Sequence, residues 1–221
     1  MLTDIAEAKY QTESDEVQLR GIHLASRKAD MPTMIWFADL VEPVENFKAF
    51  FNRPDNKILD QRNVWLLNYR NMGHSDHHES FDLDVSQLFI NVSQDIAADV
   101  MRFMDQQKLT MATLGGHGFG AKVALATAIS NLNRCTGVIA LEGGPLNHVH
   151  YEAYQELASY VKFCASLPID RLDHGKATKM INENVTCEKW ASIFRQNLEP
   201  KSDGCSWKFN VQDLAADMSK R

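Results

Sequence analysis

The sequence contains no apolar run approaching the roughly 18 residues that a membrane-spanning helix needs. No two of its four cysteines, Cys135, Cys164, Cys187 and Cys205, are spaced as a C-x-x-C clamp. They are read as reduced, packed thiols. A basic excess is also lacking: 29 acidic against 23 basic residues leave a net charge of −6. That balance argues against a general nucleic-acid binder and against docking on anionic lipid through a polybasic patch. No internal repeat or low-complexity tract occurs. The first residues, "MLTDIAEAKYQTESDE", are acidic, so neither a secretory signal nor an Arg-rich transit peptide is expected there.

What is present is an ordinary globular chain of 221 residues, 44% apolar and 24% charged, a size that suits one α/β domain or a domain with a small insertion. Four apolar runs read as strands: "TMIWFAD" (33–39), "NVWLLNY" (63–69), "MATLGG" (111–116) and "GVIALE" (137–142). Unbroken runs of this length suit strands buried on both faces of a parallel sheet. A more polar strand or hairpin is expected over 17–26. From Val85 to Met104, apolar residues recur at three- and four-residue steps, with Asp84 and Gln87 as a capping box. Strands alternating with helices imply right-handed crossovers.

After Pro145 the texture changes. Residues 148–199 show helical periodicity and no strand; Tyr151, Tyr154, Ala158 and Val161 form one stripe, and Trp190, Ile193, Phe194 and Leu198 another. "EPKSDGCS" (199–206) reads as a turn-rich break, and "WKFNVQDLAADM" starts extended and ends helical. The expected organisation is an α/β core over 1–147 and a helical cap with a closing segment over 148–221. The stripes are read as packing surface in preference to a substrate pocket.

The segment carrying most chemical information is "TLGGHGFGAKVAL" (113–125), a strand, a tight turn and a helix. "GHGFGA" (116–121) fits the G-x-G-x-x-A of a dinucleotide corner, with Glu142 about 20 residues downstream as the ribose acid. A metal reading rests on "MGHSDHH" (72–78), where His74, Asp76 and His77 match the end of an H-x-H-x-D-H run. Met72 stands at its first position, however, and a thioether is a poor zinc ligand, so no metal is expected. A hydrolase elbow needs small-x-nucleophile-x-small. Gly116 and Gly120 fill the small positions and His117 and Phe119 the x positions, which puts Gly118 in the nucleophile slot. A glycine there cannot attack a carbonyl.

Taken together, these segments resemble the α/β-hydrolases, in particular the small mitochondrial abhydrolase-domain proteins. "GGHGFGAK" is similar to the family's G-H-S-M-G-G-K elbow, and "LLNYRNMGHSD" to its V-D-x-R-N-H-G-x-S strand and loop. "ALEGGP" resembles V-D-I-S-P, and "WKFNVQDLAADM" the W-R-x-N-L-x-A-L segment that closes the cap. The resemblance spans residues 30 to 218 and gives "MGHSDHH" the role of an ordinary loop.

It implies an α/β fold: a mainly parallel hydrolase-type sheet with flanking helices and a helical cap. The elbow and the oxyanion loop it implies are both degenerate. The family's H-G-L oxyanion loop is replaced by Ala38, Asp39 and Leu40, and a carboxylate there would repel a developing oxyanion. The family's triad acid and histidine follow the cap, whereas this sequence ends at Arg221 with the cap, so the C-terminal strands are expected to be missing. The expectation is a catalytically inactive structural subunit without cofactor, held in a larger assembly. Mitochondria would be its compartment, and a respiratory-chain or ATP-synthase complex one such assembly. The strand at 137–142 would then be an edge, with Val138, Ile139 and Leu141 covered by a partner. The alternatives are half of a split serine-type hydrolase completed by a second polypeptide, and a nucleotide-binding module using Gly116–Ala121.

Overall fold

A computed structural model describes residues 17–78, 92–144 and 151–219. A five-stranded sheet is built from β1 (Gly21–Leu24), β2 (Thr33–Phe37), β3 (Asn63–Leu67), β4 (Ala112–His117) and β5 (Cys135–Leu141). Their spatial order is β1-β3-β2-β4-β5. β2 pairs in parallel with β3 and β4, β4 in parallel with β5, and β1 antiparallel with β3. The central strand β2 is buried at all five residues, as its unbroken apolar sequence requires.

Alternation along β2 sorts its side chains between two cores. Met34 and Trp36 pack with Val44, Phe51, Val64 and Leu66 on the face covered by α1 (Asn46–Asn52). Ile35 and Phe37 pack with Val100, Met104, Leu114 and Val123 beneath α2 (Val92–Gln106) and α3 (Phe119–Ser130). The helix expected over Val85–Met104 is therefore observed from Val92 to Gln106; the capping box at Asp84 and Gln87 lies outside the described residues. Ile96, Val100, Phe103 and Met104 from that stripe are buried.

The C-terminal region contributes α4 (Glu152–Ser166), α5 (His174–Asn184), α6 (Glu188–Gln196) and α7 (Val211–Ser219). Their buried residues join the same core as α2 and α3. Trp190, Ile193, Phe194 and Leu198 are all buried. The other expected stripe is displaced: Tyr151 is exposed, and the inward face of α4 is Leu157, Ala158, Tyr160, Val161 and Cys164. Burial holds the Cys164 thiol at a pKa of about 12, an inert packed group.

A second correction concerns residues 198–207. The expected break is an antiparallel hairpin of β6 (Leu198–Lys201) and β7 (Gly204–Trp207). Pro200 lies in β6 opposite Cys205, and a two-stranded ribbon has an outer edge on which a proline costs no ladder bond. Ser202 and Asp203 form the two-residue turn before Gly204.

A buried ion pair ties β3 to α2. Arg70 follows β3 and donates from Nε to Asp99 Oδ2 at 2.7 Å and from Nη2 to Oδ1 at 3.0 Å. The Arg70 side chain is 4% exposed and that of Asp99 is 0% exposed. Arg102 also donates to Asp99.

Candidate functional site

The corner joining β4 to α3 lies at the C-terminal ends of the parallel strands, where α/β sheets place their sites. Close packing of strand on helix explains two of its glycines. A Cβ on Gly116 would come within 2.2 Å of the Gly120 backbone, and one on Gly120 within 2.3 Å of the Ala38 carbonyl oxygen. Gly118 sits at the tip with φ +56, and its N–H donates to the Leu141 carbonyl at the end of β5 at 2.9 Å.

The loop after β2 lies directly against this tip. Asp39 Oδ1 accepts from Phe119 N at 2.7 Å and from Leu40 N at 2.8 Å. Phe119 is the first residue of α3, so the carboxylate also faces the positive end of a helix dipole. A Cβ on Gly118 would lie 2.1 Å from Asp39 Oδ1 and 2.2 Å from its Cγ. The side chain of Asp39 thus occupies the space that any side chain at Gly118 would need.

The loop is fixed from several sides. Val41 has φ +56, an unfavourable conformation for a β-branched residue, and its carbonyl accepts from buried Asn197 Nδ2 at 2.8 Å. Beneath it Tyr69 is fully buried, and its hydroxyl pKa is pushed up by burial and by the charges of Asp39 and Glu42. Lys122 of α3 is buried as well, and burial lowers its pKa to about 8 against the opposing attraction of Asp39.

His117, at the end of β4, touches two further carboxylates. Its Nδ1 lies 3.2 Å from Glu42 Oε2 and its Nε2 lies 3.1 Å from Glu142 Oε2. Glu142 follows β5 with φ +52. Local sequence gave no sign of this bridge, because its members come from three segments that only the sheet order brings together. The one available hint was the chemistry of an acidic loop, "FADLVEP", beside a histidine-bearing corner.

Of the other residues singled out from sequence, Met72 is buried in the core, turned into packing instead of toward His74 and His77. Among the described residues no group of three His, Cys, Asp or Glu is placed to hold a metal ion. No helix among them is long and apolar enough to cross a membrane. Among the described residues β5 lies at the end of the sheet and pairs only with β4. Val138 and Ile139 are each 37% exposed and Leu141 is 48% exposed.

A family model described as the alpha/beta hydrolase fold matches residues 42–220. The chain belongs to this family. It is 22% identical over 198 residues to the sn-1-specific diacylglycerol lipase ABHD11 of Danio rerio, covering 85% of this chain and 56% of that protein. A probable alcohol acetyltransferase of Wickerhamomyces anomalus is 25% identical over 99 residues, 45% of this chain and 26% of that protein. The chain therefore spans about half, or less, of the length of the curated relatives it matches. Among solved structures, a marine microorganism esterase superposes with a TM-score of 0.74 at 18% identity, covering 91% of this chain and 72% of that one. An E-2-(acetamidomethylene)succinate hydrolase superposes with a TM-score of 0.62 at 16% identity, covering 91% and 67%.

Asp39 occupies two backbone amides of this corner. In an α/β-hydrolase the oxyanion hole is formed by the N–H after the nucleophile and by an N–H from the loop after the third strand. In this chain the backbone amides of Phe119 and Leu40 both donate to the Asp39 carboxylate.

Proposed function

We propose that this chain is a catalytically inactive member of the α/β-hydrolase family that serves as a structural subunit of a larger multiprotein assembly. The observation carrying this reading is the Asp39 carboxylate on the amides of Phe119 and Leu40, beside a Gly118 with no side chain. Neither half of acyl transfer is available in that arrangement. There is no attacking atom at the tip, and a tetrahedral oxyanion would have to displace a charge-assisted pair of hydrogen bonds.

The assembly role draws on β5. Its apolar residues are those of an interior strand, yet among the described residues nothing pairs with its outer edge, and Val138, Ile139 and Leu141 are exposed. An unprotected apolar edge is a template for strand addition. Val138, Ile139 and Leu141 are the surface by which a partner subunit would be bound. By its resemblance to mitochondrial abhydrolase-domain proteins, the compartment is mitochondrial, and the assembly one such as a respiratory-chain or ATP-synthase complex.

The names of the relatives, a lipase and an esterase among them, favour a hydrolase, and the second reading is half of a split serine-type hydrolase completed by a second polypeptide. The two readings part at Gly118. Fluorophosphonate labelling of the purified chain, alone and in its native assembly, is expected to leave every serine near the corner unmodified. Gly118→Ser is expected to create no ester turnover, since its hydroxyl would collide with Asp39. Labelling of the wild-type assembly at this corner would establish the hydrolase instead. A nucleotide at the same corner would bring its phosphates against Asp39, so NAD, FAD and ATP are expected not to bind there.

A further inference from the structure

We propose that His117 is a proton-dependent latch that joins the loop after β2 to the end of β5. This inference goes beyond the assembly reading and does not depend on it.

The argument rests on the count of donors. Each ring nitrogen of His117 faces a carboxylate oxygen, Glu42 on one side and Glu142 on the other. A carboxylate only accepts, and a neutral imidazole has a single N–H. Both contacts are hydrogen bonds together only when the ring is the imidazolium. On deprotonation one of them becomes a lone pair facing a carboxylate.

The surroundings determine which contact yields. The Glu42 side chain is 15% exposed, and its Oε2 also lies 3.4 Å from the Asp39 N–H. That of Glu142 is 81% exposed, on a residue held at φ +52. Glu142 is therefore the arm that swings free, and it can relax its backbone as it does. The groups around the ring favour the proton. Asp39, in the same loop as Glu42, adds a third negative charge. From α1 the neighbour is the Phe47 ring, at a centroid distance of 6.1 Å. On α3, Lys122 interacts with Asp39. Burial by itself lowers the His117 pKa, but the bonds to Glu142 and Glu42 and the charges of Asp39 and Glu42 outweigh it and raise the pKa above its ordinary value.

The direction of the pH effect follows. A group whose pKa is higher folded than unfolded stabilises the fold fully below the unfolded pKa, about 6.5 for histidine. It loses that contribution as pH rises through the folded pKa. Acidification should close the latch and hold the end of β5; alkalinisation should release Glu142. Because Leu141 accepts from the Gly118 N–H beside this point, the tip of the corner and the end of β5 should respond together.

The test is an NMR titration of the full chain in three forms: wild type, Glu142→Gln and Glu42→Gln. The His117 ring resonances are assigned by their loss in His117→Asn. The expected midpoint in the wild type lies above about 6.5. It should fall in Glu142→Gln, and the Glu142 backbone amide should move with the wild-type midpoint. Glu142 is exposed, so its variant should fold. A stability gap between wild type and Glu142→Gln should be open below about pH 6.5 and should close as pH rises through the wild-type midpoint. A wild-type midpoint at or below 6.5, a midpoint unmoved by Glu142→Gln, or a Glu142 amide that ignores the titration would overturn the latch.

Discussion

Gly118→Ala is expected to lower the melting temperature of the protein by roughly 6–12 °C, the equivalent of about 3 kcal/mol in a chain of this size. Two costs combine. The residue has φ +56 and ψ −119, where a Cβ introduces strain of about 1–3 kcal/mol. The added carbon would also lie 2.1 Å from Asp39 Oδ1, so the carboxylate must leave at least one of the two amides it serves. Charge-assisted bonds of that kind are worth about 1.5–3 kcal/mol each. The two costs separate in an Asp39→Ala background, where the collision is absent. There Gly118→Ala should be less damaging, because only the backbone strain remains. Equal damage in both backgrounds would mean that Asp39 does not occupy the space above the tip. Asp39→Ala alone should also destabilise, since it strips an acceptor from the Phe119 and Leu40 amides.

Arg70→Ala should be at least as damaging. Asp99 is fully buried and receives two hydrogen bonds from Arg70. Removing the arginine leaves a buried carboxylate with Arg102 as its remaining cation, and breaking such a pair costs about 3–5 kcal/mol. Chemical denaturation should show that loss as a lower midpoint with an unchanged slope. The double variant Arg70→Met with Asp99→Leu should be clearly more stable than the sum of its single variants, because no buried charge is then stranded. If Arg70→Ala costs less than about 1 kcal/mol, the pair is not buried as described and α2 is held to β3 by apolar packing alone.

Much of this fold was legible in the sequence because it is written in local periodicity. The runs at 33–39 and 63–69 each contain an observed strand, those at 111–116 and 137–142 each overlap one, and the described part of the stripe ending at Met104 lies on an observed helix. What periodicity cannot carry is position in the sheet. The apolar residues of β5 read as a strand buried on both faces, yet among the described residues it has one neighbour and is largely exposed. The hairpin at 198–207 was missed because Pro200 and the Ser-Asp-Gly turn weigh against a strand unless the partner strand is considered with them.

The chemistry of the corner divides in the same way. Gly118 in the nucleophile slot is visible in five consecutive residues. That Asp39 bears on the oxyanion loop is visible too, but only as a repelling charge. Its actual contact, one oxygen shared by the amides of Phe119 and Leu40, joins residues from the loop after β2 to the start of α3. The bridge from Glu42 through His117 to Glu142 spans three segments. Such contacts arise from strand order, and no spacing rule along the chain encodes them.

The central claim, that this chain acts by being built into an assembly, is tested most directly by hydrogen exchange at β5. Those amides of residues 137–142 that point away from β4 should be protected in the assembly isolated from its native source. They should exchange rapidly once the chain is stripped of its partners, because among the described residues no strand pairs with β5 on that side. A purified chain that stays soluble and monomeric, with the same protection across 137–142 as in the native material, would contradict the account.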